Sequence, residues 1–346
     1  MQASELSKLQ LKTSPGLDKT QALYRIVDFF AAADIIQNQR IRLSRADTFS
    51  DQNEGIEILL GSLEATALPH MQCGSTGWSD LKTARQTHAH LQQSHYVSCW
   101  SSKAESVAMW SLYSPDHCGV RIKTSVQALE YVLLDFLNQK SFLNTSLTDS
   151  DKHIVFASEA GVYPVSYTSL PNLLKKINRK IKVFERFKAR YKQSNPELPG
   201  LTEIPRRYYE REKQRNLISN TKTCLIKDSS FEHEYEIRAL VRLAETKFDK
   251  LTLELKKIAE DPKDERHHSL KNHFTEFFGL VKITQLPRFE FAHCSGDFVT
   301  AVTIDPRCPS HKRHFMEKWF REKNIPIEDS YCFGYIPDSF SIFPKS

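Results

Sequence analysis

No apolar run in this 346-residue chain approaches the ~18 residues that a membrane-spanning helix requires, so no such span is expected. The patterns GxGxxG and GxxxxGK[ST] are both missing, which excludes a glycine-turn dinucleotide site and a P-loop. Cys73, Cys99, Cys118, Cys224, Cys294, Cys308 and Cys332 contain no CxxC pair, and their odd number argues for free thiols in a reducing cytoplasm. His88, His90 and His95 lie near Cys99, but their spacing fits no standard zinc framework, and His267-His268 sits in a charged stretch, so no metal is expected. The opening Met1-Gln-Ala-Ser-Glu-Leu-Ser-Lys lacks the apolar core of a secretory leader, and export by that route is not expected.

What is present describes an ordinary globular protein. Hydrophobic residues make up 40% and include 21 Phe and 12 Tyr, enough for a substantial core. The 48 basic and 42 acidic residues leave a formal charge of +6, too mild a bias to identify a nucleic-acid partner without knowing where the charge sits.

The hydrophobic pattern alternates between the two regular periods. Residues 1–20 are polar, contain Ser14-Pro15-Gly16, and read as a flexible lead-in. Leu23–Val27 reads as a strand, the segment from Asp28 to Asn38 as a helix, and Arg40–Arg45 as a second strand. Ile56–Leu63 and Leu81–Gln93 have helical character. Tyr96-Val-Ser-Cys-Trp-Ser, rich in aromatic and β-branched types, reads as a strand with Tyr96, Ser98 and Trp100 on one face. A short helix over Glu105–Leu112 follows, then a strand from Gly119, a helix over Val126–Asn138 capped by Ser125, and a strand from Gly161. Leu173, Ile177, Ile181, Phe184, Phe187 and Tyr191 advance by three or four residues, the mark of a long amphipathic helix whose other face is basic. Glu234–Leu243 and Phe298–Ile304 read as late strands, Lys247–Lys271 as a charged loop with imperfect helix, and Pro309–Asn324 as a helix. The expected class is α+β: a mixed, largely antiparallel central sheet with flanking helices and a basic helical insertion. Residues 21–308 are expected to form a single domain containing the insertion at 171–218, with the helix and tail of 309–346 packed on it.

Four blocks in fixed order carry a resemblance: Leu23-Tyr24-Arg25; Thr48-Phe49-Ser50-Asp51-Gln52; Tyr96-Val-Ser-Cys-Trp-Ser with Met109-Trp-Ser-Leu-Tyr and His117-Cys-Gly-Val; and Phe231-Glu-His-Glu-Tyr-Glu-Ile-Arg. Together they resemble a large prokaryotic domain family of unknown function, often associated with phage defence and abortive infection. The second block departs from that family's asparagine-aspartate-proline turn. Three blocks also resemble, more distantly, the arginine-serine-glutamate ADP-ribosyltransferases, which implies NAD as a substrate.

That second resemblance places Arg25, Ser98 and Glu236 at the cofactor and catalytic positions. The residue types suit the chemistry: a guanidinium can hold a pyrophosphate bidentately, a serine hydroxyl can steady the ribose wall, and a carboxylate can stabilise an oxocarbenium-like transition state. Glu234, two residues earlier on the expected strand face, is the candidate for orienting an acceptor. Trp100 and Tyr113 are candidate ring-stacking residues, whereas Met109 and Trp110 are assigned to the core. Each residue also has an ordinary reading: Arg25 as a strand arginine paired with a carboxylate, Ser98 as a half-exposed strand serine, and Glu234, Glu236 and Arg238 as a charge-compensated face. Lys175, Lys176, Arg179, Lys180, Arg206 and Arg207 form a candidate nucleic-acid surface, set against a solvated helical face. The functions in contention are therefore an NAD-using ADP-ribosyltransferase or glycohydrolase acting on a protein or nucleic-acid acceptor, a noncatalytic module sensing a nucleotide or protein, and a nucleic-acid-binding protein or nuclease.

Overall fold

The structure is a computed structural model that describes residues 3–51, 53–56, 89, 91–144, 153–194, 224–247, 250–261, 263–266 and 286–334. The chain divides into two compact units, residues 1–44, 96–164 and 233–346 in the first and residues 45–95 and 165–232 in the second.

The first unit is built on an eight-stranded sheet. Strands β1 (Ala22–Asp28), β2 (Arg40–Arg45), β3 (His95–Ser101), β4 (Gly119–Ser125), β9 (Phe289–His293) and β10 (Ala301–Ile304) run in the spatial order β10-β4-β1-β3-β2-β9. Strand β8 (Glu236–Lys247) also pairs with β3, and β5 (His153–Pro164) pairs with β8. The β1/β4, β10/β4, β2/β9 and β5/β8 pairs are antiparallel, and Arg25 stands opposite Ile122 in the register of β1 and β4. The largely antiparallel α+β class expected from the sequence is the class observed.

Helices follow the apolar spacing. Helix α2 (Phe29–Asn38) begins where the Asp28 carboxylate accepts from the Ala31 N–H at 2.9 Å and ends at Gln39 in a left-handed conformation. Helix α4 (Val126–Gln139) is capped by Ser125, as its sequence suggests, and buries Val126, Leu129, Val132, Leu133, Phe136 and Leu137. Those positions recur every three or four residues, so one stripe of the helix faces the core. Helix α7 (Ser310–Glu322) buries Met316 and Phe320, and Phe320 joins Phe29 and Trp319 in edge-to-face contacts.

Some elements differ from the sequence reading. Residues 3–10, expected within a loose lead-in, form helix α1 (Ala3–Gln10), because Leu6, Ser7 and Gln10 find buried sites that a linear pattern cannot announce. The chain after it bonds along β5: Lys12 N–H to the Ala160 carbonyl at 2.8 Å and Ser14 N–H to the Val162 carbonyl at 2.9 Å. Gly161 permits this approach, since a Cβ there would overlap the Lys12 carbonyl. Within 247–271, residues 250–260 form helix α6 (Lys250–Glu260), and β9 is a strand that the sequence reading did not propose.

The second unit contains the parallel pair β6 (Ser166–Thr168) and β7 (Ile226–Asp228) and the long helix α5 (Leu170–Ser194). The Asp228 carboxylate accepts from the Leu170 N–H at 3.1 Å, satisfying one of the open donors at the start of α5. The expected helices at 56–63 and 81–93 fall mostly outside the described residues, as do Arg206 and Arg207 and the Lys180 side chain.

Candidate functional site

Strand β3 lies inside the sheet of the first unit, between β1 and β2, and a short helix follows it. Helix α3 (Val107–Tyr113) starts at Ser106, whose hydroxyl accepts from the Met109 N–H, and buries Trp110 completely. Its C-terminal end is held from a distant part of the chain. The Arg307 guanidinium donates to the Trp110 and Ser114 carbonyls at 3.0 and 3.1 Å, and the buried Asp305 carboxylate pairs with that guanidinium at 2.8 Å. Ahead of α3, buried Arg121 donates to the Ala104 carbonyl, to Glu105 and to Thr303 Oγ1, so the β3–α3 connection is also fixed. Both ends of α3 are therefore anchored, which sets the position of Tyr113.

Arg25 and Ser98 meet. The Arg25 Nη1 donates to Ser98 Oγ at 2.9 Å, although 73 residues separate them in sequence. The guanidinium also lies 5.8 Å from the Trp100 ring centroid. Among the described residues Arg25 makes no ion pair. Burial lowers its pKa from the ordinary value and Arg42 adds to that, while Cys99, Tyr113 and Glu236 oppose it. Arg42, an exposed residue on β2, likewise makes no ion pair among the described residues.

Of the two glutamates, Glu236 lies on the expected strand and Glu234 does not. Glu234 is not on the strand: it ends a 3-10 turn over Ser229–Glu234, and Tyr235, at φ 45°, turns the chain before β8 begins at Glu236. Glu234 is nonetheless buried close to α3, where Tyr113 Oη donates to its Oε1 at 2.8 Å and Ser101 Oγ donates to its carbonyl at 2.7 Å. Glu236 is engaged by Arg238. Nε donates to Oε1 at 2.8 Å and Nη2 to Oε2 at 3.3 Å, with the side chains only 4% and 1% exposed. A bidentate pair of this kind neutralises the carboxylate where it lies.

Cys99 thiol also hydrogen-bonds Glu236, and burial first, then the Glu236 charge, push the thiol well above its ordinary range. Because adjacent side chains of an extended strand leave opposite sides, Glu236 meets β3 on the side away from Ser98. Trp100 is a correction as well. It is 2% exposed and packs edge-to-face on Phe298 at 5.7 Å, so it belongs to the core and its indole N–H donates to Ser98 Oγ at 3.1 Å. Tyr113, 47% exposed, keeps an accessible ring.

The arrangement therefore joins Arg25, Ser98 and Trp100 in one group, and Tyr113, Glu234, Cys99, Glu236 and Arg238 in adjoining contacts. Sequence reasoning gave no role to Cys99, although it stands inside the Tyr96–Ser101 block, or to Arg42, which lies outside all four blocks. The Glu236–Arg238 pair did carry a signal, since residues two apart on a strand share a face. Among the described residues no three His, Cys, Asp or Glu are grouped as metal ligands would be, no disulfide joins the six described cysteines, and no helix is long and apolar enough to cross a membrane.

The model of a family described as a protein of unknown function (DUF2971) matches residues 109–239, from α3 to the first residues of β8. That stretch contains Tyr113, Glu234, Glu236 and Arg238, whereas Arg25 and Ser98 precede it. Searches of curated proteins and of solved structures gave no significant match.

Proposed function

We propose that the first unit binds a phosphate-bearing nucleotide, NAD foremost, with Arg25 holding a phosphate and Ser98 orienting the guanidinium. The observation that carries this reading is the half-buried Arg25, bonded to a neutral hydroxyl and making no ion pair among the described residues. A partly desolvated guanidinium keeps its charge at any physiological pH, and a planar, bidentate oxyanion is the ligand that best complements it. Tyr113, fixed by its bond to Glu234 and still half exposed, supplies a face on which a nicotinamide or adenine ring can stack. The setting we propose, antiphage defence, rests on the family resemblance alone.

ADP-ribosyl transfer or NAD hydrolysis through Glu236 is the second reading. It is favoured by the place of Glu236 at the start of β8, the strand that pairs with β3, and disfavoured by the bidentate hold of Arg238 on the same carboxylate and by its position on the side of β3 away from Ser98. Catalysis by that route requires Arg238 to release it, so binding is the stronger proposal.

Titration calorimetry of the full chain with NAD tests both. Binding that Arg25→Gln weakens by about 10- to 100-fold, the equivalent of losing a charged hydrogen bond, supports the phosphate role. Absence of binding to NAD and ADP by folded protein overturns it. Nicotinamide release that disappears in folded Glu236→Gln selects the catalytic reading over simple binding.

A further inference from the structure

The long helix of the second unit carries a feature unrelated to the Arg25 cluster. Along α5, Lys175, Arg179, Lys182, Arg186 and Arg190 follow one another at steps of four, three, four and four residues, and all five side chains are exposed. At about 100° per residue these steps confine them to an arc of about 80°, so they form a single row rather than a diffuse basic surface. The row is about 22 Å long at ~1.5 Å per residue. None of the five makes an ion pair among the described residues. Leu170 and Leu173 are buried about half a turn away from the row, which fixes the helix through its opposite side.

We propose that this row is a docking surface for the phosphate backbone of a double-stranded nucleic acid. Charge complementarity selects the occupant: a row of five exposed cations, none in an ion pair among the described residues, matches a linear polyanion whose phosphates on one strand repeat every ~3.4 Å along the axis. An anionic membrane is a poorer fit. A helix lying in a lipid interface turns its apolar side outward between flanking cations, whereas Leu170 and Leu173 at the start of α5 are buried and, of the described apolar residues, Leu174 and Val183 are the exposed ones. The contacts are to backbone and not to base edges, so the binding is independent of sequence. Lys176 lies off the row, and the earlier candidate surface is thereby narrowed to a different set of residues.

The test is fluorescence anisotropy of the full chain with a labelled 20-base-pair DNA duplex. Five phosphate contacts give a slope of about −4.5 in log affinity against log salt, a loss of about 500-fold between 50 and 200 mM. Replacing all five residues by Gln should lower affinity at least 100-fold at 50 mM salt and flatten the slope, with the circular dichroism spectrum and thermal midpoint unchanged. A second variant, with Lys318 and Arg321 on α7 and Lys323 just after it replaced by Gln, should bind as the parent does and controls for the loss of exposed cations elsewhere. The proposal is overturned if the parent does not bind the duplex at 50 mM salt, if the five-residue variant binds equally well, or if the α7 variant loses as much affinity. Equal retention by phosphatidylserine vesicles or polyglutamate at matched charge would overturn it too, because the row would then be only a general anion surface.

Discussion

Replacing Glu236 by Gln decides whether that carboxylate is chiefly structural. Gln keeps the shape and one acceptor oxygen but removes the charge that faces Arg238, with the two side chains 4% and 1% exposed. Opposite charges about 4 Å apart at an effective dielectric constant of about 20 attract by about 4 kcal/mol. Removing one member leaves the other charge buried without its counter-charge, which typically costs about 3–5 kcal/mol. The surviving Nε to Oε1 hydrogen bond, 2.8 Å in the parent, places the expected loss near the lower end, about 3 kcal/mol. Arg238→Met should cost a similar amount, and the double variant should be more stable than the sum of the two losses implies, by about 2 kcal/mol. Urea unfolding followed by tryptophan fluorescence, on all four proteins at pH 7, measures the cycle. Single losses below about 1 kcal/mol that simply add would refute the reasoning, and would return Glu236 to candidacy as a carboxylate free for chemistry.

Two further outcomes follow from contacts elsewhere in the first unit. Gly161→Ala should destabilise by about 1–3 kcal/mol, since its Cβ overlaps the Lys12 carbonyl, and hydrogen exchange at Lys12 and Ser14 should quicken before the rest of β5 responds. For Asp305, burial raises the pKa but hydrogen bonds from Arg307 and Ser114 more than offset it, leaving a folded value below the ordinary carboxylate range. A depressed folded pKa contributes stability that is present above the unfolded value, about 3.9, and is lost as pH falls through the folded one, so Asp305→Asn should lower the urea midpoint at pH 7 and flatten its decline below about pH 4.

Much of the fold was legible because period and end signals are local. Ser125 and the apolar residues behind it predicted α4, the spacing from Leu173 onward predicted α5, and the aromatic and β-branched run at Tyr96 predicted β3. Trp110 was assigned to the core and is fully buried. What escaped depended on partners elsewhere in the chain. Helix α1 is held by buried sites for Leu6, Ser7 and Gln10, and β9 exists through its pairing with β2. Glu234 continues the strand pattern in sequence, but the positive φ of Tyr235 separates it from Glu236.

The candidate site divides in the same way. By itself the sequence determined the residue types, the two-residue spacing of Glu236 and Arg238, and the basic face of α5, because strand and helix periods follow directly from backbone geometry. Only the tertiary structure decided that Arg25 bonds Ser98 and makes no ion pair among the described residues, that Trp100 is core, and that Tyr113 reaches Glu234. Those facts depend on which side chains meet across 73 and 121 residues of chain, and sheet pairing, not local propensity, sets such meetings.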